Sequence, residues 1–176
     1  MKSVLCVIAR IDERARQRLL LLEKIAESHG IPLRHLHGHI TLAVYTGTDE
    51  AAFISSCKAI CAGFAPFSVR YDQLKILREP STIVACPPKN GVLAELQQRI
   101  VDEWAEELHI WSQPGIWLPH TTLVQDVQAD LDSALLAMQN AFEAFDAYIS
   151  TMEFSAVRPD GYEIVEAVEL KIQDKA

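Results

Sequence analysis

The chain has no apolar run approaching the roughly 18 residues that a membrane-spanning helix requires. Its apolar start, Val4 to Ala9, is too short for the core of a secretory signal peptide, and no matching cleavage region follows it. We therefore expect a cytoplasmic protein that does not act on a membrane.

The sequence also lacks the common motifs of phosphate loops and serine nucleophiles. It contains neither G-x-x-x-x-G-K nor G-x-G-x-x-G, and it contains no G-x-S-x-G. Its glycines therefore predict no loop that wraps a phosphate with backbone N–H groups, and its serines predict no nucleophile elbow.

Cysteine is scarce, with four residues in the chain, and no two of them form a C-x-x-C pair. Cys57 and Cys61 are four residues apart in a helix-like stretch, which places them on one face. We interpret all four as small apolar core residues of a reducing compartment, in preference to a disulfide or a zinc site. The other two are Cys6 and Cys86.

The chain has fewer basic than acidic residues: it contains 16 basic and 24 acidic residues, so the net charge is −8 and the pI is near 5.2. Tight binding along a long nucleic-acid backbone needs a dense basic face, so we expect no such partner. A small phosphorylated ligand or an RNA end remains compatible with this composition, because a few local charges determine that affinity.

What the chain does contain is a repeated pattern. A hydrophobic content of 49% over 176 residues is typical of one globular domain. Strand, helix, strand, helix and strand follow one another in residues 1–80 and again in residues 81–176, with Val4–Ile8 aligned to Thr82–Cys86 and Phe67–Val69 to Tyr148–Ser150. The sequence therefore predicts a single bilobal domain, 1–176, built by duplication.

Apolar periodicity and capping residues predict the bounds of the elements. Asp12 is the expected N-cap of the first helix, Thr48 or Asp49 that of the second, and Gly30 the stop of the first. The predicted helices cover residues 12–28, 49–62, 92–108 and 130–145, and the predicted strands cover residues 4–8, 39–45, 67–77, 82–86, 117–124, 148–157 and 162–170.

One tetrapeptide pattern, H-x-T-L, occurs twice, as His39-Ile40-Thr41-Leu42 and as His120-Thr121-Thr122-Leu123, at an offset of 81 residues. Side chains of a strand alternate between its two faces, so the histidine and the second-next threonine of each copy point the same way. A single copy is best explained by packing. Two copies in equivalent places favour a functional pair, and Pro119 sets the chain extended before the second copy.

The chemistry that such a pair suits is hydrolysis of a phosphoester without metal or cofactor. Histidine titrates near neutrality, so one imidazole can act as base and the other as acid. The hydroxyls of Thr41 and Thr122 can donate hydrogen bonds to the non-bridging oxygens, where charge develops in the transition state.

On these two motifs and their spacing, the chain resembles the 2H phosphoesterase superfamily, also called the 2′-5′ RNA ligase family. The resemblance implies an α+β fold with two pseudo-twofold-related antiparallel sheets flanking a central cleft, with helices outside. It also implies that His39, Thr41, His120 and Thr122 line that cleft. Substrates of the family are 2′,3′-cyclic phosphates, 2′-5′ linkages and related phosphodiesters on RNA ends or small nucleotides, and no cofactor is expected.

Four further residues are candidates for substrate binding. Arg10 and Arg158 stand near the ends of predicted strands, where a guanidinium can reach a phosphate, although an ordinary solvated charge is the simpler interpretation of each. Trp117 and Tyr162 can stack on a base. For Trp117 the alternative is a role in core packing.

Two other functions remain open. The same cleft can hold a nucleotide or RNA end without turnover, as a binding module. His35, His37 and His39 alternate along the chain, a spacing that can bind Zn²⁺ or Ni²⁺, or that simply belongs to an exposed loop. We expect no bound metal and a monomer.

Overall fold

The computed structural model describes residues 4–32, 38–89, 91–125, 130–159 and 161–172. Within these ranges, helices and strands alternate as the sequence predicts. The strands are β1 (Val4–Ile11), β2 (His39–Thr46), β3 (Phe67–Tyr71), β4 (Gln73–Arg78), β5 (Ser81–Cys86), β6 (Thr121–Gln125), β7 (Phe145–Arg158) and β8 (Gly161–Glu169). The helices are α1 (Glu13–Ser28), α2 (Glu50–Cys61), α3 (Gly91–Glu103) and α4 (Leu131–Ala141), with a short 3₁₀ turn at Ile110–Ser112.

The strands form two antiparallel sheets. The larger sheet has the order β2-β1-β7-β3, and the smaller has the order β4-β5-β6. The long strand β7 pairs with β1 along one edge and with β3 and then β8 along the other. Helix α1 packs against α4, and α2 packs against α3. The predicted fold class, α+β with two related antiparallel sheets, is confirmed.

The duplication is visible in the strand pairing around the two motifs. In the larger sheet Thr41 of β2 pairs with Ile8 of β1, immediately after an irregularity in the register. In the smaller sheet Thr122 of β6 pairs with Val84 of β5, again immediately after an irregularity. The two motif strands therefore occupy equivalent places in the two sheets.

This pairing corrects the sequence alignment of β1 with β5. Aligning Val4–Ile8 with Thr82–Cys86 gives an offset of 78 residues, whereas the pairing equates Ile8 with Val84, an offset of 76. A slip of two residues keeps every side chain on its own face of the strand. Both strands are runs of apolar residues, so hydrophobicity alone does not fix their register.

Capping side chains begin the helices where the sequence predicts. Asp12 accepts a hydrogen bond from the backbone N–H of Ala15 at 3.0 Å, and Asp49 accepts one from Ala52 at 2.9 Å. Each satisfies one of the N–H groups that the first helical turn leaves unpaired. Gly30, at φ +83°, follows the end of α1, so the predicted stop is also confirmed.

Helix α3 is shorter than predicted. Apolar periodicity extends it to Leu108, but it ends at Glu103, and Glu107 takes a left-handed φ of 63°. Leu108 instead forms an isolated β-bridge with Tyr45. The cause is long-range, because the free edge of β2 offers this segment backbone hydrogen bonds that the helix would forgo.

The segment after α3 covers the edge of β2 at its C-terminal end, from Val44 to Thr46. The N–H of Thr46 donates to the carbonyl of Glu107 at 3.2 Å, and the N–H of His109 donates to the carbonyl of Val44 at 2.8 Å. The N–H of Val44 in turn donates to the hydroxyl of Ser112 at 3.0 Å. The second half of the chain thereby fixes the motif strand of the first half.

Two other predicted elements also end early. The strand predicted over residues 67–77 is divided at Asp72 into β3 and β4, which belong to different sheets, and aspartate is a poor strand residue. The helix predicted over residues 130–145 ends at Ala141, because Phe145 already begins β7.

Three of the four cysteines lie in the core as the sequence predicts, whereas Cys6 is half-buried. All four are free thiols, and Cys57, Cys61 and Cys86 are buried. Burial raises the pKa of Cys86 to about 11, so this thiol stays protonated and apolar at neutral pH. In the described part of the chain, none of the helices is long and apolar enough to cross a membrane.

Candidate functional site

The first motif lies on β2, with the alternation that a strand imposes. His39 and Thr41 are half-buried, whereas Ile40 and Leu42 are fully buried in the core. The apolar side chains therefore anchor the strand on one face and leave the imidazole and the hydroxyl on the other.

The second motif repeats this arrangement where β6 begins, although the strand predicted from residue 117 starts only at Thr121, and His120 immediately precedes it. His120 and Thr122 are half-buried, and Thr121 and Leu123 between and after them are buried. Pro119 precedes His120 and favours the extended backbone there. The predicted sharing of faces by histidine and threonine thus holds in both copies.

A buried hydroxyl joins the two motif strands. Thr121 Oγ1 donates to the carbonyl oxygen of His39 at 2.9 Å and lies 2.6 Å from the hydroxyl of Tyr71. A threonine hydroxyl has one hydrogen, so the Tyr71 hydroxyl is the donor to Thr121. Burial raises the pKa of Tyr71, which keeps this phenol protonated. Thr121 therefore ties the backbone of one motif to the side chain of the other.

The four motif side chains border adjoining cavities. Thr41, His120 and Thr122 line a cavity of about 740 Å³. His39 and Thr122 line a second cavity of about 120 Å³. Because Thr122 belongs to both, the structure brings the two copies of the motif to one place between the sheets.

The hydrogen bonding of His120 selects one form of its imidazole. Nδ1 lies 2.8 Å from the carbonyl oxygen of Leu118, and a carbonyl can only accept. We infer that Nδ1 carries the proton, so Nε2 of the neutral ring is a proton acceptor. In the protonated ring the same Nε2 is a donor. One atom of His120 can thus perform either step of acid–base catalysis.

Trp117 packs in the core and also borders the cavity beside His120. Its side chain is 4% exposed, which confirms the predicted role in core packing, and it also lines the larger cavity. Its indole N–H donates to the carbonyl oxygen of Thr41 at 2.9 Å. Trp117 is thus a second contact between the segment before the second motif and the first motif strand.

We expect Trp117→Phe to lower the free energy of unfolding by about 1–2 kcal/mol more than Trp104→Phe does, because only Trp117 loses a hydrogen bond. Trp104 is a matched control, since its buried indole nitrogen has no hydrogen-bond partner among the described residues. Urea midpoints at unchanged slope measure the difference. Equal losses in the two variants would show that the Thr41 contact contributes nothing.

Of the other predicted residues, two lie beside His39. Arg10 and Tyr162 line a third cavity, of about 320 Å³, together with His39. Arg10 is directly opposite His39 in the pairing of β1 with β2. The structure therefore places both candidates next to the first motif and not next to the second.

Arg158 is not brought to the motifs. Its guanidinium contacts both carboxylate oxygens of Glu50 at 3.0 Å and one oxygen of Glu163 at 2.5 Å. On β7 it stands seven residues beyond Thr151, the partner of Arg10, which is roughly 23 Å along a strand. Arg158 thus joins α2 to β8 and stands far from His39.

Several residues of this region were not predicted from the sequence. Arg16 lines the cavity beside His39, and Gln125 lines the cavities next to Thr122. Tyr71 and Thr121 form the bridge between the motifs. The sequence carried one signal for the bridge, because the residue between histidine and threonine is apolar Ile40 in the first copy and polar Thr121 in the second.

The cavities next to the two histidines differ in polarity. The cavity beside His39 is bordered by charged side chains, whereas the larger cavity beside His120 is mainly apolar. Several of the residues that line the larger cavity are aromatic or aliphatic: Val44, Ile76, Leu77, Pro80, Trp111, Ile116, Trp117 and Leu118.

The predicted metal alternative concerns residues that lie partly outside the described ranges. His35 and His37 belong to the segment 33–37, which the structure does not describe. Among the residues that it does describe, no three histidine, cysteine, aspartate or glutamate side chains are grouped as metal ligands.

Comparison with solved structures shows the same fold in proteins of low sequence identity. The Thermus thermophilus protein TT0787 superposes with a TM-score of 0.71 at 16% identity, over 99% of this chain and 100% of that one. E. coli LigT complexed with 3′-AMP gives 0.68 at 13% identity, over 98% and 100%. Usb1 of Kluyveromyces marxianus gives 0.57 at 14% identity, over 96% and 98%.

Sequence comparison gives a family. No curated protein sequence matches the chain. The family model described as the 2′-5′ RNA ligase superfamily matches residues 11–160, a span that contains both motifs and most of the chain. The chain therefore belongs to the 2′-5′ RNA ligase superfamily, the 2H phosphoesterases.

Proposed function

We propose that this protein is a metal-independent phosphoesterase that hydrolyses a cyclic or 2′-linked phosphodiester with His39 and His120 as its acid–base pair. One observation carries the proposal: two H-x-T copies, 81 residues apart in sequence, border adjoining cavities and are tied together by the hydrogen bond from Thr121 to His39. Membership of the superfamily supports a phosphoesterase or ligase-like activity.

The proposed reaction balances with the residues at hand. One imidazole, in its neutral form, takes a proton from water as the water oxygen bonds to phosphorus. The other imidazole, protonated, gives a proton to the ester oxygen as the P–O bond breaks. The hydroxyls of Thr41 and Thr122 donate to the two non-bridging oxygens, whose negative charge grows in the transition state.

The proposed substrate is a small nucleotide or an RNA end. A cavity of about 740 Å³ with an apolar wall is in the size range of ligand pockets. Trp111, an exposed side chain of that wall, offers a face on which a base can stack. Among relatives of the same fold, E. coli LigT has been solved in complexes with 3′-AMP, ATP and NADP⁺.

A panel of substrates tests this proposal and identifies the substrate class. The panel comprises 2′,3′-cyclic nucleotides, cyclic-phosphate-ended RNA, 2′-5′ oligonucleotides and ADP-ribose cyclic phosphate, each incubated with and without EDTA. We expect turnover of at least one member at a rate that EDTA leaves unchanged. Turnover that EDTA abolishes would contradict the metal-free mechanism.

The same panel distinguishes a binding module that uses the same cleft. If a cyclic nucleotide binds tightly, as measured by calorimetry, but stays intact over a long incubation, the cleft binds nucleotides without hydrolysing them. Such a result would contradict the proposal that the protein is an enzyme. A rate of hydrolysis that rises in proportion to the fraction of protein with bound substrate would support that proposal.

A further inference from the structure

The duplication equates the two motifs, but their neighbours on β1 and β5 differ. Arg10 of β1 pairs with His39. At the offset of 76 residues, its counterpart on β5 is Cys86, a buried thiol that follows the partner of Thr121. The repeat thus places a guanidinium opposite His39, whereas the equivalent position on β5 carries an apolar group. A substrate whose two ends differ in chemistry would therefore find a different environment next to each motif.

Arg10 is held in place by a carboxylate at the base of the cavity. Its Nη1 lies 3.2 Å from Glu153 Oε1, and the side chains are 55% and 12% exposed respectively. A guanidinium has five N–H donors, and this contact engages one of its nitrogens. Glu153 therefore orients a cation that still presents donors to the cavity.

Arg16 reaches the same cavity because of a glycine. A Cβ on Gly38 would lie 3.2 Å from Arg16 Cγ, closer than most side chains tolerate, and Gly38 has a φ of +25°. The stem of Arg16 therefore packs beside the residue that precedes His39. The carboxylate that pairs with Arg16 is Glu13, which is not part of the lining of this cavity.

The resulting lining carries two guanidinium groups and one carboxylate, in a chain whose net charge is −8. Tyr162 adds a phenol, which can donate a hydrogen bond. Two arginines with a neighbouring hydroxyl are suited to a phosphate, because guanidinium donors match its oxygens in pairs. The volume of about 320 Å³ leaves room for such a group.

We propose that Arg10, Arg16 and Tyr162 form a subsite for a second phosphate, one that is not cleaved, while the nucleoside occupies the apolar cavity beside His120. The proposal rests on the proposed function, and it narrows the substrate class. The preferred substrate carries a phosphate in addition to the scissile diester, as an RNA end or a 5′-phosphorylated nucleotide does. A plain cyclic mononucleotide lacks this group.

The first test compares two substrates that differ by one phosphate. Adenosine 2′,3′-cyclic phosphate is measured with and without a 5′-phosphate. We expect wild type to show a kcat/KM about tenfold higher for the phosphorylated form, the effect of about 1.4 kcal/mol of differential binding. Arg10→Gln is expected to bring the ratio close to one, and high salt should reduce it in wild type.

Arg70→Gln is the matched control. Arg70 is 58% exposed and pairs with Asp146 at 3.3 Å, much as Arg10 pairs with Glu153, but it lies on β3 and lines none of the cavities around the motifs. We expect Arg70→Gln to retain the tenfold ratio. Equal rates on the two substrates in wild type, or a ratio that survives in Arg10→Gln, would overturn the subsite.

A binding measurement separates the subsite from the catalytic proposal. Calorimetry compares adenosine 3′,5′-bisphosphate with adenosine 3′-monophosphate, neither of which requires turnover. We expect the bisphosphate to bind about tenfold more tightly, with the preference lost in Arg10→Gln. If neither cyclic substrate is hydrolysed but this preference is found, the subsite stands and the phosphoesterase proposal fails. If both are hydrolysed and no preference is found, the subsite alone fails.

Discussion

His39→Ala and His120→Ala should each lower kcat/KM by about 10²–10⁴-fold, with the fold intact. Each imidazole is proposed to transfer one proton in the transition state, and a positioned acid or base contributes an effect of that size. Both side chains are half-buried at the cleft and outside the apolar core, so their truncation should cost little stability. Initial rates on the substrate found by the panel, together with urea midpoints, measure both quantities.

The control for these variants is His29→Ala. His29 is an exposed histidine at the end of α1 that contacts Ser28 and the carbonyl of Ile25. We expect its rate to equal that of wild type. A rate near wild type for either His39→Ala or His120→Ala, in a folded protein and on the true substrate, would remove the two-histidine mechanism.

Thr121→Val should reduce kcat/KM by about 100-fold, although Thr121 is buried and is neither one of the two histidines nor one of the two threonines proposed to contact the phosphate. The substitution preserves the volume of the side chain and removes the hydroxyl that joins Tyr71 to the carbonyl of His39. The separation of the two motifs then loses a fixed contact, and misplacement of reacting groups by about 1 Å can cost 10²-fold in rate.

The same variant should be less stable by about 2–4 kcal/mol, since the buried hydroxyl of Tyr71 and the carbonyl of His39 both lose their hydrogen bond to Thr121, each at about 1–3 kcal/mol. Tyr71→Phe should cost less, because Thr121 retains its bond to His39. Urea midpoints and kcat/KM for both variants check this order.

Thr151→Val is a suitable comparison for Thr121→Val. Thr151 is also buried, and its hydroxyl donates to Glu169 at 2.9 Å, a contact that joins β7 to β8 and not the two motifs. It should lose stability while its rate changes little. If Thr121→Val loses stability but retains its rate, the bridge is structural only and does not position the histidines.

The motif faces could be predicted from the sequence because they depend on a local rule. Alternation along a strand places His39 with Thr41, and His120 with Thr122, whatever the rest of the chain does. The helix starts at Asp12 and Asp49 were predictable for the same reason, since a cap acts within its own first turn.

The misplaced elements depended on contacts between distant parts of the chain. Leu108 continues the apolar periodicity of α3, yet it pairs with Tyr45 of β2, in the other half of the chain. The offset of 76 residues between β1 and β5 appears only in their pairing with the motif strands. Local patterns do not reveal these pairings.

The candidate binding residues likewise could not be ranked from local sequence patterns. Arg10 and Arg158 are equivalent in sequence terms, since each is a cation near the end of a predicted strand. The pairing of the strands places Arg10 opposite His39, whereas Arg158 binds Glu50 and Glu163 far along β7. Two features therefore determine which arginine lies at the site: the register of the strand pairs, and the glutamates that other elements bring to Arg158.

The most direct test of the central claim is the turnover of the preferred phosphodiester by wild type and by the double variant His39→Ala/His120→Ala, measured side by side in EDTA. We predict full turnover by wild type and a rate at least about 10³-fold lower for the folded double variant. Loss of wild-type turnover in EDTA, or retained turnover by the double variant, would contradict a metal-free mechanism that rests on the two histidines.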